Sequence, residues 1–147
     1  MLDGWEWRYG LDPLNPLDAG ADSDNDGVIN RIEYNNTAAG PYVEVDNITT
    51  TLPRNNDTDA DGLLDGEELF NYLTDPTSAD TDGDGMPDGW EAKYGLDPLD
   101  AIDALQDNDN DGFDADWNGN LTDEEAFTNL EEYLNGTDPT NGDTAGD

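Results

Sequence analysis

Aspartates recur at every second position in several short stretches of this chain. Residues 22–33 have the pattern D-x-D-x-D-G-x-Φ-N-x-x-E, a frame of twelve residues. Oxygen atoms at positions 1, 3, 5, 7, 9 and 12 of such a frame can surround a hard cation at about 2.4 Å, and a glycine at position 6 allows the sharp turn. The frame therefore predicts a calcium site. The expected ligands are Asp22, Asp24, Asp26, the carbonyl of Val28, Asn30 and Glu33.

The same frame occurs twice more in full register, at 57–68 and 80–91. A single match in an acidic chain can arise by chance, but three in register are a strong signal for calcium loops. The expected ligands are Asp57, Asp59, Asp61, the carbonyl of Leu63, Asp65 and Glu68 in one copy, and Asp80, Asp82, Asp84, the carbonyl of Met86, Asp88 and Glu91 in the other.

A fourth region has two solutions. A simple count from Asp107 places Asn118 at position 12, where a bidentate carboxylate is expected. In the first solution a 14-residue insertion interrupts this loop, which closes late; in the second, residues 114–125 form a frame of their own. The two are compatible and together would hold two adjacent ions. The late-closing ligands are Asp107, Asp109, Asp111, the carbonyl of Phe113, Asn129 and Glu132, and those of the inner frame are Asp114, Asp116, Asn118, the carbonyl of Asn120 and Glu125.

A long internal repeat supports the late closure. Residues 1–28 align with 86–113 at a constant offset of 85, and beyond them the offset is 99, which places Glu33 on Glu132. The difference is the 14-residue insertion. Such self-similarity is typical of an array in which each unit stacks on its neighbours.

The two ends of the sequence carry halves of one frame. Asp3 and Glu6 align with positions 9 and 12, and Asp143 and Asp147 with positions 1 and 5. Three explanations are open. The chain is a segment of a longer tandem array, or a subunit that joins head to tail through a shared calcium ion, or a piece with an arbitrary boundary. A joint of this heterologous kind builds filaments. Ala145, at position 3, would weaken such a site.

The composition excludes several classes of protein. Among 147 residues there are 38 Asp and Glu, 4 Lys and Arg, and neither His nor Cys, for a formal net charge of −34. Thiol catalysis, disulfides, imidazole bases and the usual zinc sites are excluded, and nucleic acid is an improbable partner. No apolar run has membrane-spanning length. The frames already account for the conspicuous carboxylates, so we expect no enzyme.

The predicted fold is mostly irregular, a tandem array of calcium loops with short α-helices. Helices are expected at 66–72, at 89–94 and at 123–134, the last as the only long helix, with Thr122 and Glu125 as its capping box. Prolines before the loops exclude the first helix of an EF-hand. The predicted segments are a repeat unit at 1–40, a β-like insert at 41–56 with a possible two-stranded flap at 41–52, two calcium loops at 57–106, and the interrupted loop with its half-frame at 107–147.

Residues 80–91, followed by Tyr94-Gly95-Leu96-Asp97-Pro98, resemble bacterial thrombospondin type 3 repeats. The likeness extends over nearly the whole chain except about 36–56 and 114–127. It implies a calcium-dependent, rigid stalk or spacer on a secreted or surface protein. Asn30 and Asn129 depart from the family pattern, which has Asp at position 9.

We therefore expect an extracellular or cell-surface structural protein that binds about five or six calcium ions. Its other expected partners are copies of itself or further units of a longer array. The alternative is a calcium-dependent adhesion module for protein or carbohydrate, since the loop at 22–33 is similar to those of dockerins. Against it, dockerins have two loops with longer helices, and this chain has at least four units.

Overall fold

The computed structural model describes residues 1–36, 51–109 and 127–142. The described parts are mostly irregular with short helices, as predicted, and their only β pairing is an isolated bridge between Leu52 and Asn55. The predicted flap falls largely outside them. The α-helices are α1 (Asp3–Arg8), α2 (Asn30–Asn36), α3 (Asp65–Glu67), α4 (Asp88–Tyr94) and α5 (Asn129–Asn135), with a π-helical turn at Glu68–Tyr72 and 3₁₀ turns at Asp18–Gly20 and Asp103–Leu105.

The chain divides into two compact units, Met1–Ala79 and Asp80–Asp147. The four segments predicted from the sequence are finer than this division and remain predictions. None of the helices in the described ranges has the length and apolar character that a membrane span requires.

Each α-helix in the described ranges begins at position 9 of a complete, late-closing or half frame, and in these frames positions 9–12 are helical. The residue at position 8 is extended; Leu64 has ψ 146° and Pro87 has ψ 142°. The helices are short because a left-handed residue follows: Gly95 (φ 77°) ends α4 and Gly136 (φ 75°) ends α5. Glycine adopts this conformation without the steric penalty of a Cβ. Each glutamate of position 12 is thereby fixed beside its own loop.

The predicted long helix at 123–134 is wrong. Phe127 and Thr128 are not helical, and α5 begins at Asn129. The capping box lies at Thr128 and Glu131: the Thr128 N–H donates to Glu131 Oε2 (3.0 Å), and the Glu131 N–H donates to Thr128 Oγ1 (3.3 Å). Residues 122–125, where the box was predicted, lie outside the described residues.

The π-helical turn has a cause in the sequence. Asp75 lies seven positions after Glu68, whereas Asp97 lies six positions after Glu91 in the next repeat. The extra residue widens the helix by one backbone position, as π-helical turns do. It also places Leu73, with φ 62°, in the left-handed conformation that Gly95 adopts in the next repeat.

The interior is unusually polar. Among the described residues six hydrophobic side chains are buried, against thirteen polar or charged ones, of which nine are carboxylates. Aromatic contacts join consecutive helices: Trp5 lies 5.2 Å from Tyr34 and Trp90 lies 5.3 Å from Tyr133, between ring centroids. These equivalent pairs follow the offsets of 85 and 99.

Candidate calcium sites

Each loop is shaped by hydrogen bonds to its own aspartates. In the loop at 80–91, Asp80 accepts from the Gly83 N–H (2.7 Å) and the Gly85 N–H (3.0 Å), and Asp84 accepts from the Met86 N–H (2.7 Å). The loop at 22–33 repeats all three bonds, at 2.7, 3.0 and 2.6 Å. The first half of each frame is therefore folded locally.

Two backbone positions of each loop are left-handed. Position 6 is always glycine, with φ between 97° and 106°, as the sharp turn requires. Position 4 is Asn25, Ala60 or Gly83, with φ of 65°, 66° and 80°. These two turns bring the aspartates of positions 1, 3 and 5 together.

Carboxylate oxygens converge in all three complete frames. One oxygen from each residue lies within 4.8 Å of those of its partners, which is the spread of ligands about an ion at 2.3–2.6 Å. The groups are Asp22 with Asp24 and Asp26, Asp57 with Asp59 and Asp61, and Asp80 with Asp82 and Asp84.

In the three complete frames and the late-closing one, the glutamates at position 12 are Glu33, Glu68, Glu91 and Glu132, and these four are fully buried. Among the described residues, no donor reaches either side-chain oxygen of Glu33 or Glu91. Burial, followed by the charges of nearby aspartates, raises the pKa of Glu33 to about 8 and that of Glu91 to about 9. A buried carboxylate without a donor is costly unless a cation neutralises it. These residues fit a bidentate calcium ligand.

The aspartates beside them are also perturbed. Burial is the main cause that raises the pKa of Asp26 and of Asp82 to about 6. Asp26 Oδ2 and Asp82 Oδ2 are buried without a hydrogen-bond partner in the described parts of the chain. Bound calcium would supply the missing positive charge in both loops.

Position 9 has two arrangements. Asp65 accepts hydrogen bonds from the Thr58 N–H and hydroxyl (both 2.7 Å), and Asp88 accepts from the same groups of Thr81 (2.8 and 2.6 Å). Both aspartates thereby fix the threonine at position 2 of their own loop.

Asn30 and Asn129 instead use their amide as a donor. Asn30 Nδ2 donates to the carbonyl of Asp18 (2.7 Å), and Asn129 Nδ2 donates to the carbonyl of Asp103 (2.8 Å). Each Oδ1 is buried and, within the described ranges, has no donor. An asparagine at position 9 therefore fixes a neighbouring turn through its NH₂ group and leaves its side-chain oxygen available to a cation.

The structure brings together residues of the late-closing frame that are far apart in sequence. The Asn129 N–H donates to the carbonyl of Gln106 (2.8 Å), directly before Asp107, as the Asn30 N–H donates to Ala21 (2.8 Å), directly before Asp22. This is the arrangement that late closure requires. Asp111, Phe113 and the inner frame 114–125 lie outside the described residues.

Both candidate ligands of the N-terminal half-frame lie on helix α1. Glu6, at position 12, is 6% exposed, whereas Asp3, at position 9, is exposed. The C-terminal half-frame at Asp143 and Asp147 falls outside the described part of the chain.

Sequence reasoning missed Asp103. Its carboxylate lies outside every frame, yet its oxygen is within 4.8 Å of those of Asp84 and Glu91. The signal was present in the internal repeat, because Asp18 stands at the same place at an offset of 85.

Comparisons with known proteins agree with the repeats. Residues 57–79 and 80–101 match the family model described as the bacterial TSP3 repeat. The B domain of a biofilm associated protein is 49% identical over 30% of this chain and 11% of that chain, with a TM-score of 0.29. The BSP domain of such a protein is 50% identical over 29% and 8%, with the same TM-score. The matches thus span about a tenth of those chains, and no curated protein matches.

Proposed function

We propose that this chain, whose residues 57–79 and 80–101 are bacterial thrombospondin type 3 repeats, is a calcium-stiffened spacer of the cell exterior. In this role the ions replace a conventional hydrophobic core. Each loop clamps the first turn of its own helix through the glutamate of position 12. The repeated units then form a stiff segment that separates other parts of a surface structure.

One observation carries the proposal: four oxygens, those of Glu33 and Glu91, are buried with no donor in the described residues. Within the described ranges, six buried hydrophobic side chains cannot offset nine buried carboxylates, because each buried charge requires a counter-charge. Calcium provides two positive charges for each loop and takes oxygen ligands alone.

The location follows from calcium chemistry. Extracellular calcium modules bind at roughly 10⁻⁴–10⁻³ M, so the ion concentration outside cells fills them. Inside cells the same loops would stay largely empty, and their clustered aspartates would repel one another. The acidic surface that remains after binding keeps the spacer soluble.

Sedimentation velocity tests the proposal with the intact chain. In millimolar calcium we expect a compact, faster-sedimenting species, and in excess chelator an expanded, slower one. Magnesium at the same concentration is the control, because it demands octahedral geometry and dehydrates reluctantly. Equal sedimentation in calcium and chelator would contradict the proposal and favour a salt-adapted acidic domain.

A second proposal concerns assembly. Glu6 is buried at position 12 of a half-frame, and a Cβ at Gly4, its position 10, would meet nothing within 4 Å. In the frame at 57–68, position 10 is Gly66, where a Cβ would overlap the carbonyl of Asp26 in the preceding loop. By the same packing, the place beside Gly4 is open to the loop of a preceding frame. We propose a head-to-tail joint in which the C-terminal half-frame of a second copy, with Asp143 and Asp147, completes the frame of Glu6, and the frame that precedes this half-frame packs against Gly4.

The joint predicts calcium-dependent growth into polymers at rising protein concentration. A Gly4→Leu substitution should abolish the growth, because its side chain would occupy the docking place. Gly20→Leu is the matched control, since a Cβ at Gly20 also meets nothing within 4 Å. A chain that stays monomeric in calcium, or a Gly4→Leu variant that still polymerises, would contradict the joint and leave the spacer proposal intact.

A further inference from the structure

Asp103 is a buried carboxylate outside every twelve-residue frame. It is 7% exposed and lies on the 3₁₀ turn Asp103–Leu105, twelve residues after Glu91. The turn belongs to the connection between the loop at 80–91 and the next frame. Nothing in a calcium-loop frame requires an acid at this place.

Two hydrogen bonds hold Asp103 in place, one to its carboxylate and one to its main-chain carbonyl. Oδ2 accepts a hydrogen bond from the Asp97 N–H (2.9 Å), and the main-chain carbonyl of Asp103 accepts one from Asn129 Nδ2 (2.8 Å). Oδ1 is buried and has no donor among the described residues. A carboxylate oxygen of Asp103 lies within 4.8 Å of oxygens of Asp84 and Glu91, which themselves have the spacing of cation ligands.

We propose that Asp103 is a calcium ligand of the loop at 80–91, supplied by the element that follows the loop. This proposal rests on the proposed function, because it needs calcium in that loop. Ca²⁺ accepts six to eight oxygens, so a carboxylate from outside the frame fits its coordination. The added ligand ties the connection between two units to the ion, which stiffens the junction as well as the loop.

The internal repeat provides independent support. Asp18 stands at an offset of 85 from Asp103 and has the same contacts: its Oδ2 accepts from the Asp12 N–H (2.9 Å), and its carbonyl accepts from Asn30 Nδ2 (2.7 Å). Its Oδ1 is likewise buried without a donor in the described ranges. The loop that would precede Asp18 is represented only by the half-frame of Asp3 and Glu6. Asp18 is therefore a matched residue with the same local role but no complete loop to complement.

The test compares Asp103→Asn with Asp18→Asn and Asp100→Asn in the intact chain. Asparagine can still accept the Asp97 N–H, but it then turns an NH₂ group, which cannot bind a cation, toward Asp84 and Glu91. By calorimetric titration, Asp103→Asn should weaken one calcium site by about tenfold. Asp18→Asn and the exposed Asp100→Asn should leave every site of the isolated chain within about twofold of the wild type.

Thermal unfolding separates a ligand from a merely structural residue. Asp103→Asn should lower the melting temperature in calcium and raise it in chelator, where it relieves the repulsion between Asp103 and Asp84. A structural residue would lower both. Unchanged calcium affinity in Asp103→Asn, or a loss of stability in chelator as large as in calcium, would overturn the inference. A wild type that does not bind calcium at all would instead overturn the proposed function.

Discussion

The loops at 22–33 and 80–91 share one frame but are completed by different parts of the chain. In both, the backbone is shaped by the same three hydrogen bonds, and the glutamate of position 12 is fully buried without a donor in the described residues. The first loop is covered by the start of α3, where Asp65 adds its charge to those that raise the pKa of Glu33. The second is covered by Asp103 and by Leu130, whose Cδ1 lies 3.3 Å from a Cβ placed at Gly85.

This difference distinguishes the parts of a site that depend on the local sequence from the parts that depend on a later segment of the chain. The frame itself prescribes the turn and the positions of five candidate side-chain ligands, so it can be copied along the chain. The residues that cover the loop differ between these two sites: Asp65 and Gly66 in the first, Asp103 and Leu130 in the second. In the proposed spacer, these covering contacts are the ones that would couple one repeat to the next.

The largest effect is expected at the contact between α3 and the first loop. Gly66→Ala should cost about 3 kcal/mol, because the new Cβ overlaps the carbonyl oxygen of Asp26 and neither backbone can move away easily. Urea unfolding in millimolar calcium measures it. Gly4→Ala is the matched control at the same frame position, and it should be neutral or slightly stabilising in a helix. Equal effects of the two substitutions would show that the cover at Gly66 is not formed.

Loss of a buried glutamate should remove one ion. Glu33→Gln and Glu91→Gln each replace a bidentate carboxylate by a single neutral acceptor, and should weaken the affected site about 100-fold, or roughly 2.7 kcal/mol. Native mass spectrometry at limiting calcium should then count one ion fewer in each variant and two fewer in the double variant. An unchanged count in either variant would remove that glutamate from the ligand set.

Protons should compete with calcium at both loops. Because the pKa values of Glu33 and Glu91 are raised to about 8 and about 9, both groups are largely protonated at pH 6 without the ion. Lowering the pH from 8 to 6 should weaken binding about 50-fold at the first loop and about 100-fold at the second. Without calcium the sign reverses: the raised values favour the folded chain below about pH 4.5 and lose that advantage as the pH rises. Calorimetry in buffers of different ionisation enthalpy would detect the released protons, and none should be released if these groups are not ligands.

The asparagine at position 9 sharpens the comparison further. Asn30→Asp removes the donor to the Asp18 carbonyl and adds a charge at a fully buried position, so it should cost about 1.5 kcal/mol in calcium. The exposed Asn35→Asp controls for the change of charge on the same helix. Thermal unfolding compares the two, and a cost no larger than that of the control would contradict the role of the amide.

The smallest effect is expected at the end of the π-helical turn. Leu73 is 70% exposed and has φ 62°, so Leu73→Gly should stabilise the chain by about 1 kcal/mol. Gly95→Leu, at the equivalent place in the next repeat, should cost a similar amount. A loss of stability in Leu73→Gly would mean that the leucine side chain contributes more than its backbone conformation costs.

Much of the architecture could be predicted because its determinants are contiguous. Each of the three complete frames contains its turn glycine, its aspartates and its helix start within twelve residues, so the irregular fold with short helices followed from the sequence. The alternative function as an adhesion module, the absence of catalysis and the ligand sets remain predictions.

The wrong or missed predictions concern residues whose role or conformation depends on contacts or insertions that the repeated frame does not contain. Asp103 was missed because its partners precede it by twelve residues or more and no frame position points to it. The helix at 123–134 was extended too far because its apolar spacing continues across Thr128, whereas the capping box of Thr128 with Glu131 begins the helix there. The π-helical turn could not be separated from an α-helix by periodicity, because a single inserted residue produces it.

The free energy of unfolding as a function of free calcium tests the central claim most directly. If the buried carboxylates are held together by calcium, stability must rise with the logarithm of the calcium concentration, with a slope set by the number of ions released on unfolding. Expressed in units of RT per unit of the natural logarithm of the calcium concentration, the slope should be at least three, one for each of the frames at 22–33, 57–68 and 80–91. A stability that does not change between chelator and millimolar calcium would contradict the claim.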